Sequence, residues 1–207
     1  MHKIDRRSLW LFDSWARFYD LPIFSWFFKF FYNEVEDYLG DINGKKVLSV
    51  GCGTGTLEIK LAEKFPNSKI VGLDLSPKMV KQARLKSKTL ANVEFIEGNS
   101  ESLPFNKKSF DVVLCIHSFH HYSNQEIALQ EAFRVLKKNG NFIMIEGLKD
   151  SLTGKLKILF NKTFLEPGTR HYSSNQLKKL IQKSGFKKVN IRRITPVYGL
   201  ITCFPEL

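Results

Sequence analysis

The chain has 207 residues, 43% of them hydrophobic and 25% charged, which suffices for one sizeable core and is short for two, so a single domain is expected. Its 18 Phe and 13% aromatic content supply the apolar surface that offsets ordering entropy and exclude a disordered chain. A net charge of +12 would suit RNA or an anionic lipid surface, yet the lysines are scattered through Lys78 to Lys88 and Lys178 to Lys188, so a solvated face is the simpler reading.

The first 41 residues are aromatic and expected to be helical. They begin basic, but Asp13 and Arg17 interrupt what would be the apolar core of a signal peptide, and no small-residue cleavage site follows. The run from Leu21 to Tyr32 is broken by Lys29 and is shorter than the roughly 20 apolar residues of a spanning helix, so no membrane crossing is expected. Trp10, Trp15, Phe24, Trp26, Phe27 and Phe31 either pack against the core or line an apolar pocket for a quinone-like or other small lipophilic molecule, packing being the commoner use of such a stripe. Its basic start leaves peripheral contact with a membrane surface as a minority reading.

From Lys45 onward, short apolar runs alternate with segments of helical period. Strands are predicted at Lys46 to Val50, Lys69 to Asp74, Val93 to Glu97, Phe110 to Ile116 and Gly140 to Glu146, with helices at Thr56 to Lys64, Pro77 to Thr89 and Asn124 to Leu136. Ser76 before Pro77 reads as an N-cap followed by a first-turn proline. Further on, Ser174 to Lys183 reads as a helix closed by Gly185, and Lys188 to Ile194 and Val197 to Cys203 as a hairpin around Pro196. The predicted fold is α/β: a Rossmann-like, doubly wound, mostly parallel seven-stranded sheet with a C-terminal antiparallel hairpin and a helical N-terminal extension. Its predicted parts are a helical cap at 1–41, a core at 42–150, and further helices with the hairpin at 151–207, all within one domain. Cys52, Cys115 and Cys203 lie far apart without CxxC pairing, which argues against a disulfide framework or zinc ribbon, predicts no metal, and fits a reducing cytoplasm.

The strongest local signal is Val47-Leu-Ser-Val-Gly51-Cys-Gly53-Thr-Gly55, a strand running into a glycine-dense turn and then a helix. Glycines there let a ligand approach the backbone, and the helix start offers amide donors. The second strand ends Val71-Gly-Leu-Asp74, about 20 residues later, where a carboxylate can hold a ribose diol by two charge-assisted hydrogen bonds. The turn reads G-x-G-x-G rather than G-x-G-x-x-G, which disfavours a dinucleotide dehydrogenase.

Several motifs in order then carry a resemblance: Phe12-Asp-Ser-Trp-Ala16 with Tyr19-Asp20, the glycine turn, Gly72-Leu-Asp74-Leu-Ser, Glu97-Gly-Asn99-Ser-Glu-Ser-Leu-Pro-Phe105, Phe110-Asp-Val-Val, His120-His121, Arg134-Val-Leu-Lys137 with Gly140, and Ser184-Gly-Phe186. Over nearly its whole length the chain resembles the class I S-adenosylmethionine-dependent methyltransferases, in particular those of ubiquinone and menaquinone biosynthesis. The resemblance implies S-adenosyl-L-methionine as cofactor and S-adenosyl-L-homocysteine as product. It implies that Gly51, Cys52, Gly53, Thr54 and Gly55 underlie the methionine part and that Asp74 holds the ribose. Leu75, Met79, Asn99 and Ser100 would meet the adenine, Cys115, Ile116 and His117 would lie beneath the sulfonium, and Tyr19 would close over the cofactor. Two positions depart from the family: Ser49 stands where an Asp is usual near the cofactor's cationic amino-acid end, and Asn99 where an Asp meets the adenine. The Asn99 amide oxygen can still accept from an adenine amino group, whereas Ser49 removes a negative charge.

Methyl transfer is an in-line displacement whose activation the cofactor supplies, so the protein mainly aligns the acceptor and excludes water. Where the acceptor must lose a proton, His117, His120 and His121 are the candidate bases, with Glu146, His171 and Tyr172 behind them; for each histidine a packing role competes. Three function classes stay open: a small-molecule methyltransferase, a methyltransferase acting on RNA, suggested by the charge, and a non-catalytic cofactor-binding protein, suggested by Ser49.

Overall fold

The computed structural model describes residues 9, 12–14, 22–160 and 169–205. Seven strands, β1 (Lys46–Val50), β2 (Lys69–Asp74), β3 (Val93–Glu97), β4 (Phe110–Ile116), β5 (Leu136–Gly147), β6 (Lys188–Arg193) and β7 (Tyr198–Phe204), form one sheet in the order β3-β2-β1-β4-β5-β7-β6. The first five pair in parallel, while β7 runs antiparallel to both β5 and β6. The chain winds outward from β1 to β3 and resumes on the other side at β4, so a crevice opens where β1 and β4 end side by side, the usual ligand position in such sheets.

The helices are α1 (Pro22–Leu39), α2 (Thr56–Lys64), α3 (Pro77–Lys86), α4 (Gln125–Val135), α5 (Leu152–Phe160) and α6 (Ser174–Lys183). Alternation along the strands assigns them to faces. On β4, Val112 and Leu114 point to a core shared with Phe31 and Val35 of α1 and Leu57 and Leu61 of α2. Val113 and Cys115 point to the opposite core, with Leu129 and Ala132 of α4 and Leu177 and Ile181 of α6. Burial on both faces is what a parallel sheet requires.

The predicted caps form. Ser76 Oγ accepts from Met79 N at 3.2 Å with Pro77 in the first turn, and Ser173 and Gln176 make a reciprocal capping box. Several boundaries differ from the sequence-based expectation, most by a single residue. Helix α3 stops at Lys86, where the Ser87–Leu90 turn takes over; α4 is bounded by Asn124, whose side chain caps it, and by Leu136, which already belongs to β5. Strand β5 begins four residues before Gly140, because Leu136 pairs with Phe110 across a register shift and Lys137 Nζ holds Asp111 at 2.8 Å. Lys-Lys-Asn-Gly reads locally as a turn, and the long-range partners override that preference. Among the described residues no helix is long and apolar enough to cross a membrane.

Candidate active site

The crevice is built on the glycine turn. After buried β1, Gly51 and Cys52 both donate their N–H to the Leu73 carbonyl, at 2.7 and 3.1 Å. Gly51, Gly53 and Gly55 have φ of 76, 56 and 75°, a region that L side chains rarely adopt. Space adds to conformation: a Cβ on Gly51 would lie 2.4 Å from Ser118 Cβ, and one on Gly55 2.5 Å from the Phe95 ring. Gly55 then starts α2 without a side-chain cap hydrogen bond, so the helix opens with main-chain donors near the turn.

Asp74 closes the turn from β2. Its Oδ2 accepts from Gly53 N at 2.8 Å and its Oδ1 from Ser76 N at 2.9 Å. Burial raises its pKa above the ordinary value, against the pull of these amides. These bonds leave lone pairs on the carboxylate of Asp74, which lines the crevice. Ser76 Oγ in turn donates to Asp13 Oδ1 at 2.5 Å, tying the N-terminal segment to the same wall.

Of the residues singled out in the sequence, Gly51, Gly53, Asp74, Leu75, Met79, Asn99, Ser100, Ile116, His117 and His121 line this crevice. Asn99 Oδ1 already accepts from Glu101 N at 2.9 Å, leaving its second lone pair and its amide hydrogens for a ligand edge. Thr54 and Gly55 are buried beneath the turn, and Cys115 lies behind the lining rather than in it. Burial raises the Cys115 thiol to about 12 despite the Ser118 and Tyr122 hydroxyls beside it. Cys52 faces a smaller hollow next to the crevice. Tyr19, Trp10, Trp15 and the side chain of Phe24 lie outside the described residues. Phe27 and Phe31 face inward, whereas Trp26 is 78% exposed.

At the end of β4 the backbone is strained. His117 has φ of 53° although it carries a side chain, and its N–H donates to the Ile145 carbonyl at 3.0 Å. Its ring is held edge-on by Phe31 at 4.3 Å, Tyr198 at 4.8 Å and Phe28 at 5.7 Å. Ser118 Oγ and Tyr122 Oη converge on the Val50 carbonyl, each at 3.0 Å, and so lock the end of β4 to the start of the glycine turn.

The other histidines form a second cluster. Buried Glu146 meets His120 Nδ1 at 2.8 Å and also accepts from Gly147 N at 2.8 Å; His171 Nδ1 lies 3.7 Å away. Burial would raise the Glu146 carboxyl, but His120, His171 and His117 outweigh it and hold its pKa down to about 2. The His120 ring lies 4.2 Å from that of His121, which faces the crevice and meets Phe12 edge-on at 4.7 Å. The three histidines therefore divide, with His117 and His121 at the crevice and His120 behind them on its carboxylate. Tyr172 Oη donates to Gln125 Oε1 at 2.8 Å, away from the crevice lining.

Sequence reading did not single out Ser118, Tyr122, Glu101 or Glu58. The Ser-x-x-x-Tyr spacing after β4 is a usable signal for the first two, since it spans the short helical turn Phe119–His121. Glu101 accepts from Ser123 Oγ at 2.7 Å and from Asn124 N at 2.5 Å, joining the loop after β3 to the start of α4.

Comparison with known proteins gives concordant results. A family model described as a methyltransferase domain matches residues 42–191. The demethylmenaquinone methyltransferase of Thermotoga maritima is 34% identical over 79% of this chain and 72% of its own length. That of Lactococcus lactis is 40% identical over 52% of this chain, which spans only 44% of that relative, and the fatty-acid O-methyltransferase of Mycolicibacterium smegmatis is 39% identical over 50% of this chain and 37% of its own length. A SAM-dependent methyltransferase structure from Aquifex aeolicus superposes with a TM-score of 0.73 at 21% identity, covering 92% of this chain and 97% of the other, which supports the fold.

Proposed function

Because the chain belongs to the family of class I S-adenosylmethionine-dependent methyltransferases, we propose that it methylates a small lipophilic acceptor of quinone-precursor or fatty-acid type. The observation that carries this reading is the pairing of the left-handed glycine turn with Asp74 across one crevice. The residues fit the cofactor. The turn leaves no room for a Cβ at Gly51, and the carboxylate of Asp74 retains lone pairs for a ribose diol. Asp74 would hold the ribose, Met79, Asn99 and Ser100 the adenine, and the backbone at Gly51 and Gly53 the methionine arm. When bound, the cofactor supplies a methyl group on an electrophilic sulfonium centre.

The remaining chemistry belongs to the chain. Ile116 and His117 floor the crevice where β4 ends, and the rings around His117 exclude water from that side. His121 is the side chain best situated to take a proton from an acidic acceptor, with His120, held by Glu146, packed directly behind it. The relatives named for demethylmenaquinone and fatty-acid methylation support a lipophilic acceptor, as do Leu9, Phe12 and Ile116 in the lining. Three free thiols fit a reducing compartment, the cytoplasm.

Calorimetric titration with S-adenosylmethionine and S-adenosylhomocysteine tests the reading. The wild type is expected to bind both, and Asp74→Ala to weaken both at least tenfold; folded wild-type protein that binds neither would sink the assignment.

A further inference from the structure

Beside the crevice lies a smaller hollow walled by Phe28, Tyr32, Ser49, Cys52, Leu57 and Glu58, and it shares Gly51 and Ile116 with the crevice itself. Glu58, in the first turn of α2, is 2% exposed, and its Oε2 meets neither solvent nor a hydrogen-bond donor. Its carboxyl receives a hydrogen bond from the Ser49 hydroxyl. Leaving a carboxyl oxygen buried and unmatched is costly, so a chain that keeps one invites a donor from outside.

The layout of the crevice says which donor. With the ribose at Asp74 and the sulfur at the end of β4, as proposed above, the amino-acid arm of the cofactor would pass Gly51 and Ile116, which line both the crevice and the hollow, and so be directed into the hollow. That arm carries an ammonium group. We propose that Glu58 receives the α-ammonium of the cofactor, taking over from helix α2 the charge that Ser49 does not carry on strand β1. The inference rests on the assignment of S-adenosylmethionine as cofactor. Ser49 then serves as an orienting hydroxyl, and the hollow admits the polar end of the ligand while Phe28 and Tyr32 cover it.

The proposal implies a pH effect. Burial raises the Glu58 carboxyl to about 7, Ser49 and Lys86 opposing and Asp74 assisting, so that it is partly protonated at neutral pH. Cys52 beside it has its thiol pushed well up by burial and by Glu58 and stays uncharged, and Tyr32 of α1 is the remaining titratable side chain in the wall. An arriving ammonium group favours the ionised form, so affinity for an amino-acid-bearing ligand should rise between pH 6 and 8.

The test compares S-adenosylhomocysteine with 5′-methylthioadenosine, which keeps the adenosine and the sulfur but lacks the amino-acid arm. Glu58→Gln is expected to weaken S-adenosylhomocysteine roughly 10- to 100-fold, the range for a hydrogen bond to a charged group, and to flatten its pH dependence. Methylthioadenosine binding should stay within about twofold of wild type, and Ser49→Asp added to Glu58→Gln should restore much of the loss. Equal loss for both ligands, or no loss for either, would overturn the proposal. Failure of the wild type to bind either ligand would instead refute the cofactor assignment, and this proposal with it.

Discussion

Glu58 also makes a prediction about the ligand-free protein. Its carboxyl moves from an ordinary 4.5 to about 7 on folding, chiefly through burial, with the Ser49 hydrogen bond working the other way. The fold therefore binds this proton more tightly than the unfolded chain does. The stability linked to it is fully present below pH 4.5 and is lost as pH rises through 7. A shift of that size corresponds to about 3 kcal/mol at most, at roughly 1.4 kcal/mol per unit. Glu58→Gln keeps the size and removes the ionisation, so it should be close to wild type at pH 5 and more stable by up to about 3 kcal/mol at pH 8. For a chain of this length that is several degrees in Tm, measurable by calorimetry or urea unfolding followed by circular dichroism at both pH values. A stability difference between variant and wild type that is the same at pH 5 and pH 8 would refute the reasoning.

Two further outcomes are expected. Gly51→Ala should lower stability by about 1–3 kcal/mol in thermal melts and abolish S-adenosylhomocysteine binding in titration, because its Cβ would meet Ser118 Cβ at 2.4 Å and its φ of 76° is strained for alanine. Glu146→Gln should cost about 3 kcal/mol near pH 7, since the Glu146 carboxyl lies at about 2 in the fold; acid titration should then show a flatter loss of stability between pH 5 and pH 2, the window in which the wild type gives up that contribution.

The strands were legible because a parallel sheet buries both faces, and short apolar runs such as Val47–Val50 and Val112–Ile116 have no other use at that length. The glycine turn and the place of Asp74 beside it were legible because a left-handed strand-to-helix turn, and a carboxylate at the end of the next strand that accepts from it, leave chemical marks at fixed spacing. Glu58 was not, for a physical reason: an acid in a first helical turn is ordinarily a solvated partner of the helix dipole, and only the packing of α2 against β1 and α1 turns it inward. The division of labour among His117, His120 and His121 was equally hidden. It depends on Glu146, which arrives from β5 and takes His120 out of the crevice.

The strained end of β4 shows how α1 and the terminal hairpin finish a crevice whose glycine turn is encoded locally. A left-handed conformation at a side-chain-bearing residue persists only where its surroundings over-determine it. Here they consist of the Ile145 carbonyl on β5, Phe28 and Phe31 from α1, and Tyr198 from the last strand. Lys157 of α5 adds to the same wall, its Nζ donating to Tyr198 Oη at 2.6 Å and lying 5.2 Å from the centre of the Phe27 ring. Changes in α1, α5 or the terminal hairpin therefore reach the β4 end of the crevice through His117 without touching the glycine turn or Asp74. On the proposed reading these outer elements border the acceptor end of the crevice, while the glycine turn and Asp74 of the inner strands would hold the cofactor.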